Sequence, residues 1–96
     1  MKPSLALQLH RTAIREIVER HRSRNPRVFG SVLHGDDHEN SDLDLLVETL
    51  PGTTLLDLGA IQVELEEMLG VSVDVLTAGD LPVRFRDGVV REAVAI

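Results

Sequence analysis

Apolar residues recur at helical spacing from Ser4 to about Arg22, where Ala6, Leu9, Ala13, Ile14, Ile17 and Val18 share one face and the polar positions of REIVERHR take the other. Asn25-Pro26 is expected to end that region, because a residue before proline resists helical angles. The short run Arg27–Phe29 reads as a strand ending at Gly30-Ser31. After a polar loop the period changes to two, and Asp42–Glu48 (DLDLLVE) predicts a second strand. Pro51-Gly52 marks a turn, with Thr53 or Thr54 placed to cap the next helix. The stripe of that helix is Leu55, Leu58, Ile61, Leu65, Met68 and Leu69, with Glu64, Glu66 and Glu67 outside it and Gly70 as its stop. Val71–Leu76 (VSVDVL) predicts a third strand, and a last helix is expected from about Pro82 to Ala95, weakened by Gly88.

The order helix, strand, loop, strand, helix, strand, helix predicts an α/β (α+β) protein: a small, mixed, three-stranded sheet flanked by helices, with residues 1–96 forming one domain. The strand–helix–strand unit from Asp42 to Leu76 is one right-handed crossover, so its two strands should be parallel. The first strand reaches the second through a loop and should pair with it antiparallel.

Strand alternation then sorts the carboxylates. In DLDLLVE one face carries Leu43, Leu45 and Val47, and the other carries Asp42, Asp44, Leu46 and Glu48. In VSVDVL the aliphatic face is Val71, Val73 and Val75, and the opposite face holds Ser72, Asp74 and Leu76. If the aliphatic faces share the core, Asp42, Asp44 and Asp74 project together from the other side. Each pair at about 4 Å would repel by on the order of a few kcal/mol at intermediate dielectric, so a cation is the natural complement. Three carboxylates of this kind suit a hard divalent ion, Mg²⁺ above all, completed by substrate phosphates. The plainer alternative is that Asp42 and Asp44 are exposed positions on a half-solvated strand. Asp74 weighs against it, since aspartate is disfavoured inside a strand.

Gly30-Ser31 stands where the first strand ends, and Gly35 closes the turn that follows. Glycine lets a ligand approach the backbone, and amides of a following helical turn can cradle an anion. An antiparallel return puts Ser31 near Asp42 and Asp44. Amides for phosphate and carboxylates for metal would then converge on a nucleoside triphosphate. Of the remaining polar residues, Asp36, Asp37 and Glu39 read as loop. His10, His21, His34 and His38 read as boundary or solvated positions, and Arg84, Arg86 and Arg91 as a solvated helix face.

Composition narrows the partners. The net charge is −6, from 16 acidic and 10 basic residues, and the only aromatics are two phenylalanines. A long DNA or RNA partner is disfavoured, because such proteins present basic surface or stacking aromatics. With no cysteine, disulfides and thiolate zinc sites are excluded. The first twenty residues carry charge too early for a signal peptide, and no stretch is long enough to cross a membrane, so a soluble cytoplasmic protein is expected.

GSVLHGDDHENSDLDLLV resembles the GSxxxG…SDxDLLV motif of the DNA polymerase β-like nucleotidyltransferase superfamily. With VSVDVLT at the right distance and so short a chain, the sequence resembles the minimal nucleotidyltransferase (MNT) branch over nearly its whole length. The resemblance implies a polymerase β-like fold and a two-metal adenylyl transfer. Asp42 and Asp44 would bind both Mg²⁺ ions. Asp74 would share one and favour deprotonation of the attacking hydroxyl, and Gly30 and Ser31 would hold the β- and γ-phosphates of ATP while pyrophosphate leaves. It also implies an antitoxin in a hetero-oligomer with an HEPN-domain toxin, an RNase silenced by AMP placed on a tyrosine. This chain has no tyrosine, so such a target lies on another protein. One departure is plain: Val32, Leu33 and His34 stand where many relatives carry arginines. The alternatives within the resemblance are a catalytically silent antitoxin that acts by contact, and a small-molecule nucleotidyltransferase, which usually needs a further domain.

Overall fold

The computed structural model describes residues 1–96. Its elements are α1 (Pro3–Arg20), β1 (Ser23–Phe29), α2 (Ser31–His34), β2 (Leu43–Thr49), α3 (Leu55–Leu69), β3 (Val73–Leu76), a 3-10 turn at Ala78–Asp80, α4 (Val83–Glu92) and β4 (Val94–Ala95). The strands form one mixed sheet in the order β3-β2-β1-β4. As expected, β1 and β2 are antiparallel and β2 and β3 are parallel.

The sheet has four strands where three were expected. The terminal helix stops at Glu92, and after Ala93 the residues Val94 and Ala95 pair antiparallel with Val28 and Arg27 of β1. Val94 is β-branched, and Gly88 lowers the propensity of the last turns, so the helix yields to an available sheet edge. The first strand is also longer than its apolar run suggested. Asn25-Pro26 does not end a helical region but lies within β1, where the register slips between Arg24 and Arg27. Asn25 takes a left-handed φ of 51°, which asparagine tolerates, and its side chain donates to Glu48 Oε2 at 2.6 Å.

Helices α1 and α3 cover the aliphatic face. Ile14 and Val18 of α1, Leu43, Leu45 and Val47 of β2, Ile61 and Leu65 of α3, and Val73 of β3 are buried together. Two stripe assignments shift. Leu7 replaces Leu9, which is 60% exposed, because the buried positions of α1 run Ala6, Leu7, Ile14, Ile17, Val18, and its backbone departs from helical angles at His10. Leu55 is 82% exposed, being the first residue of α3. Thr54 caps that helix in a reciprocal box with Asp57, and Gly70 ends it at φ 71°.

Asp37 is not merely loop. It is buried, and its Oδ2 accepts the Ser4 amide at 2.9 Å. Lys2, the residue at the N-cap of α1, offers no side-chain cap, so Asp37 supplies from 33 residues away the acceptor that the first turn lacks. That hydrogen bond holds the Asp37 carboxyl below the usual carboxylate range, with burial opposing it. Asp37→Ala should destabilise the protein by about 1 kcal/mol in thermal unfolding at pH 7. Since the native pKa is depressed, this contribution is present above the unfolded pKa and is lost as pH falls through the native one, so the difference from wild type should shrink under strong acid.

Candidate active site

The open face of the sheet carries the chemistry. Phe29 pairs with Asp44 across β1–β2, and Asp44 with Asp74 across β2–β3. Directly opposed residues share a face, so Phe29, Asp44 and Asp74 form one row across three strands. The next row holds Leu46 beside Leu76. Leu46 is fully buried although alternation assigned it to the carboxylate face, because the 3-10 turn packs over β2 and Leu81 is buried there. Part of this face is thus roofed with aliphatic side chains, while Asp42 and Asp74 remain exposed and Asp44 is half-buried.

The roof is held locally. Thr77 and Asp80 close a capping box, with the Thr77 amide donating to Asp80 Oδ2 at 2.9 Å. The Arg86 guanidinium donates to the carbonyls of Leu81 at 2.9 Å and Gly79 at 3.2 Å. Arg86 is therefore a brace rather than part of a solvated helix face. The spacing Thr77-x-x-Asp80 was the available signal for this turn.

Asp44 has its pKa raised to about 6, first by burial, then by the charge of Asp74 and the charge of Asp42, and by a hydrogen bond with the Asp74 carboxyl. The charges of Asp74 and Asp42 both act on Asp44, and Asp44 and Asp74 stand within hydrogen-bonding reach. They are not drawn into a closed chelating set, for no group of three or more His, Asp or Glu side chains is gathered tightly enough to hold a metal. The donor chemistry fits a hard cation all the same, since the available donors are carboxylate oxygens, with Asp74 and Asp42 close enough to Asp44 for their charges to raise its pKa.

Gly30 fits against this carboxyl. It takes φ 74° and ψ −151°, a region essentially confined to glycine. A Cβ built there would collide with Asp44 Oδ2. The chain then turns into α2 at Ser31 and closes at Gly35, which is left-handed with φ 74° and donates to the carbonyls of Ser31 and Val32. The structure thus brings Gly30, Asp44 and Asp74 together, sets Asp42 just ahead of β2, and leaves Ser31 partly exposed as the first residue after Gly30.

Other residues turn out to be structural. His34 pairs with Glu92 at 3.2 Å, linking α2 to α4. His21 meets Glu64 at 2.7 Å, and the Val73 amide donates to Glu66 Oε2 at 3.1 Å. Phe29, flanking Asp44 in the central row, was missed. Its place follows from the β1–β2 register, which a single strand's pattern does not give.

A fold with this sheet order and a glycine turn closed on a strand carboxylate is that of a nucleotidyltransferase. The chain belongs to the nucleotidyltransferase domain family, whose model matches residues 10–96, and it falls in the minimal branch of that family. It is 40% identical over 80 residues to a candidate protein adenylyltransferase of Methanocaldococcus jannaschii, covering 83% of this chain and 86% of that one. It is 34% identical over 82 residues to the protein adenylyltransferase MntA of Thermococcus cleftensis, covering 85% and 83%. Among solved structures, a candidate minimal nucleotidyltransferase superposes with a TM-score of 0.86 at 42% identity, over 97% of this chain and 95% of that one. A toxin–antitoxin structure with AMP-PNP shares the fold, with a TM-score of 0.70 at 20% identity, over 83% of this chain and 66% of that one. No helix is long and apolar enough to cross a membrane.

Proposed function

We propose that this protein transfers AMP from ATP to a hydroxyl of a partner protein, a tyrosine of an HEPN-domain toxin, and thereby acts as its antitoxin. The observation that carries the chemistry is the row Phe29–Asp44–Asp74 with Gly30 closed against Asp44, because it sets backbone amides for phosphate beside carboxylates for a cation. The relatives named as protein adenylyltransferases support a protein acceptor, and the toxin–antitoxin neighbour supports the partner class.

In this reading Asp42, Asp44 and Asp74 would hold two Mg²⁺ ions, which would neutralise the triphosphate and stabilise charge at the α-phosphorus. Gly30 and the amide of Ser31 hold the β- and γ-phosphates, with no side chain at residue 30 to bar the approach. Asp74, exposed on the edge strand, is placed to orient the incoming hydroxyl and favour loss of its proton. The hydroxyl oxygen bonds to the α-phosphorus, the bond to the β-phosphate bridging oxygen breaks, and pyrophosphate departs.

Co-expression with the toxin encoded beside it tests the reading. The toxin should gain AMP on tyrosine by mass spectrometry, and cells should grow. With Asp42→Ala/Asp44→Ala the adduct and the growth should both be lost. Growth without an adduct would instead establish neutralisation by contact alone.

A further inference from the structure

The two edges of the sheet are treated differently. On β3 the Val73 amide is taken up by Glu66 of α3 at 3.1 Å. On β4, the opposite edge, both residues are exposed and nothing covers them. The Ile96 amide donates inward to Pro26 at 3.1 Å, so alternation directs the N–H and C=O of Ala95 outward. An open strand edge is a template for another strand; β4 is only two residues long, so what it offers is the single outward pair at Ala95, and any further hold must come from side chains beside it.

Beside that edge, on the sheet face away from the carboxylates, lies a cleft of about 290 Å³. Its apolar wall includes Leu7, Val28, Val32, Leu33 and Val94. Arg11 is the one charged residue lining it, and it makes no ion pair or side-chain hydrogen bond within the chain. An unpaired cation at the rim of an apolar cleft, in a protein of net charge −6, is complementary to an acidic ligand with an apolar body.

We propose that β4 and this cleft together bind an extended segment of a partner protein, which adds as a strand to β4, places an apolar side chain against Val94, and sets an acidic side chain on Arg11. Main-chain bonds at Ala95 would supply part of the affinity and the cleft the selectivity, as in other strand-addition sites. The surface lies across the sheet from the transfer site and does not depend on the transfer chemistry.

The probes are two blocked peptides, Val-Thr-Leu-Thr-Glu and Val-Thr-Leu-Thr-Lys, titrated into the full ¹⁵N-labelled chain and followed by NMR. The glutamate peptide should shift the amides of Arg11, Leu33, Val94 and Ala95 and leave Asp44 and Asp74 in place. It should bind about two- to fivefold more tightly than the lysine peptide, the scale of an exposed ion pair. Arg11→Glu should invert that preference. Ala95→Pro removes an outward N–H while leaving the pairing of Val94 and Ile96 with β1 intact, which unchanged Val28 and Ile96 amides would verify; binding should fall about tenfold. Three results would overturn the proposal: no saturable shift at millimolar peptide, equal binding of the two peptides, or a concentration-dependent dimer dispersed by Ala95→Pro, which would make the occupant a second copy of this chain.

Discussion

Gly30→Ala should abolish AMP transfer while leaving a folded protein. The substitution introduces two separate faults. At φ 74° and ψ −151° an alanine is strained by about 1–3 kcal/mol. Its Cβ also has nowhere to go, because Asp44 Oδ2 occupies the space. Relief requires the turn to back away from the strand or Asp44 to swing aside, and either motion separates the phosphate amides from the carboxylates. A displacement of about 1 Å in a positioned site can reduce rate by about 10²-fold. Steady-state transfer with purified toxin should fall by at least that much, with Tm lowered by several degrees. A Gly35→Ala control faces an αL strain but open space at its Cβ, so it should reduce stability and spare most of the transfer.

Asp44→Asn should show the opposite pairing of effects: transfer lost by roughly 10²–10³-fold or more, and stability gained. The sign follows from linkage. Asp44 has a native pKa of about 6, above the ordinary value of 3.8, so the native state binds this proton more tightly than the unfolded chain does. The associated stability is full below the unfolded value and is lost as pH rises through about 6. At pH 7.5 the wild type therefore carries an ionised, half-buried carboxylate beside two others, and the asparagine variant does not. After screening by solvent the gain should be on the order of 1 kcal/mol. In a chain of this size that is a Tm increase of roughly 4–8 °C. At pH 5 the gain should shrink, since the wild-type carboxyl is then largely protonated. Mg²⁺ should raise the wild-type Tm at pH 7.5 and leave Asp44→Asn almost unmoved, as expected for a ligand that binds only the native carboxylate set.

The carboxylate face itself could be read from the sequence. Period-two alternation placed Asp42, Asp44 and Asp74 on one face with no knowledge of pairing, because a buried aliphatic face leaves only one orientation for the rest. Gly30 was recognisable as a close-approach glycine, though its partner in that approach was not. Naming Asp44 as that partner needed the β1–β2 register, and so did the position of Phe29. The misreadings share a cause: each depended on a tertiary or turn contact that periodicity does not show, most of them distant in sequence. Val94–Ala95 continued a helical pattern until a sheet edge competed for it. Asn25-Pro26 resembled a break, and β1 absorbed it as a bulge tied to Glu48. Asp37 looked like one more loop acid until the start of α1, 33 residues away, supplied its donor. Arg86 looked like surface charge until the 3-10 turn offered it two carbonyls.

Parallel incubations with α-labelled and γ-labelled ATP, Mg²⁺ and purified toxin decide whether Gly30 and the three aspartates form a nucleotidyl-transfer site. Label should enter the toxin from α-labelled ATP only, should require Mg²⁺, and should vanish with Asp44→Asn. Label arriving from the γ-position, or α-label transferred undiminished by Asp44→Asn, would rule such a site out.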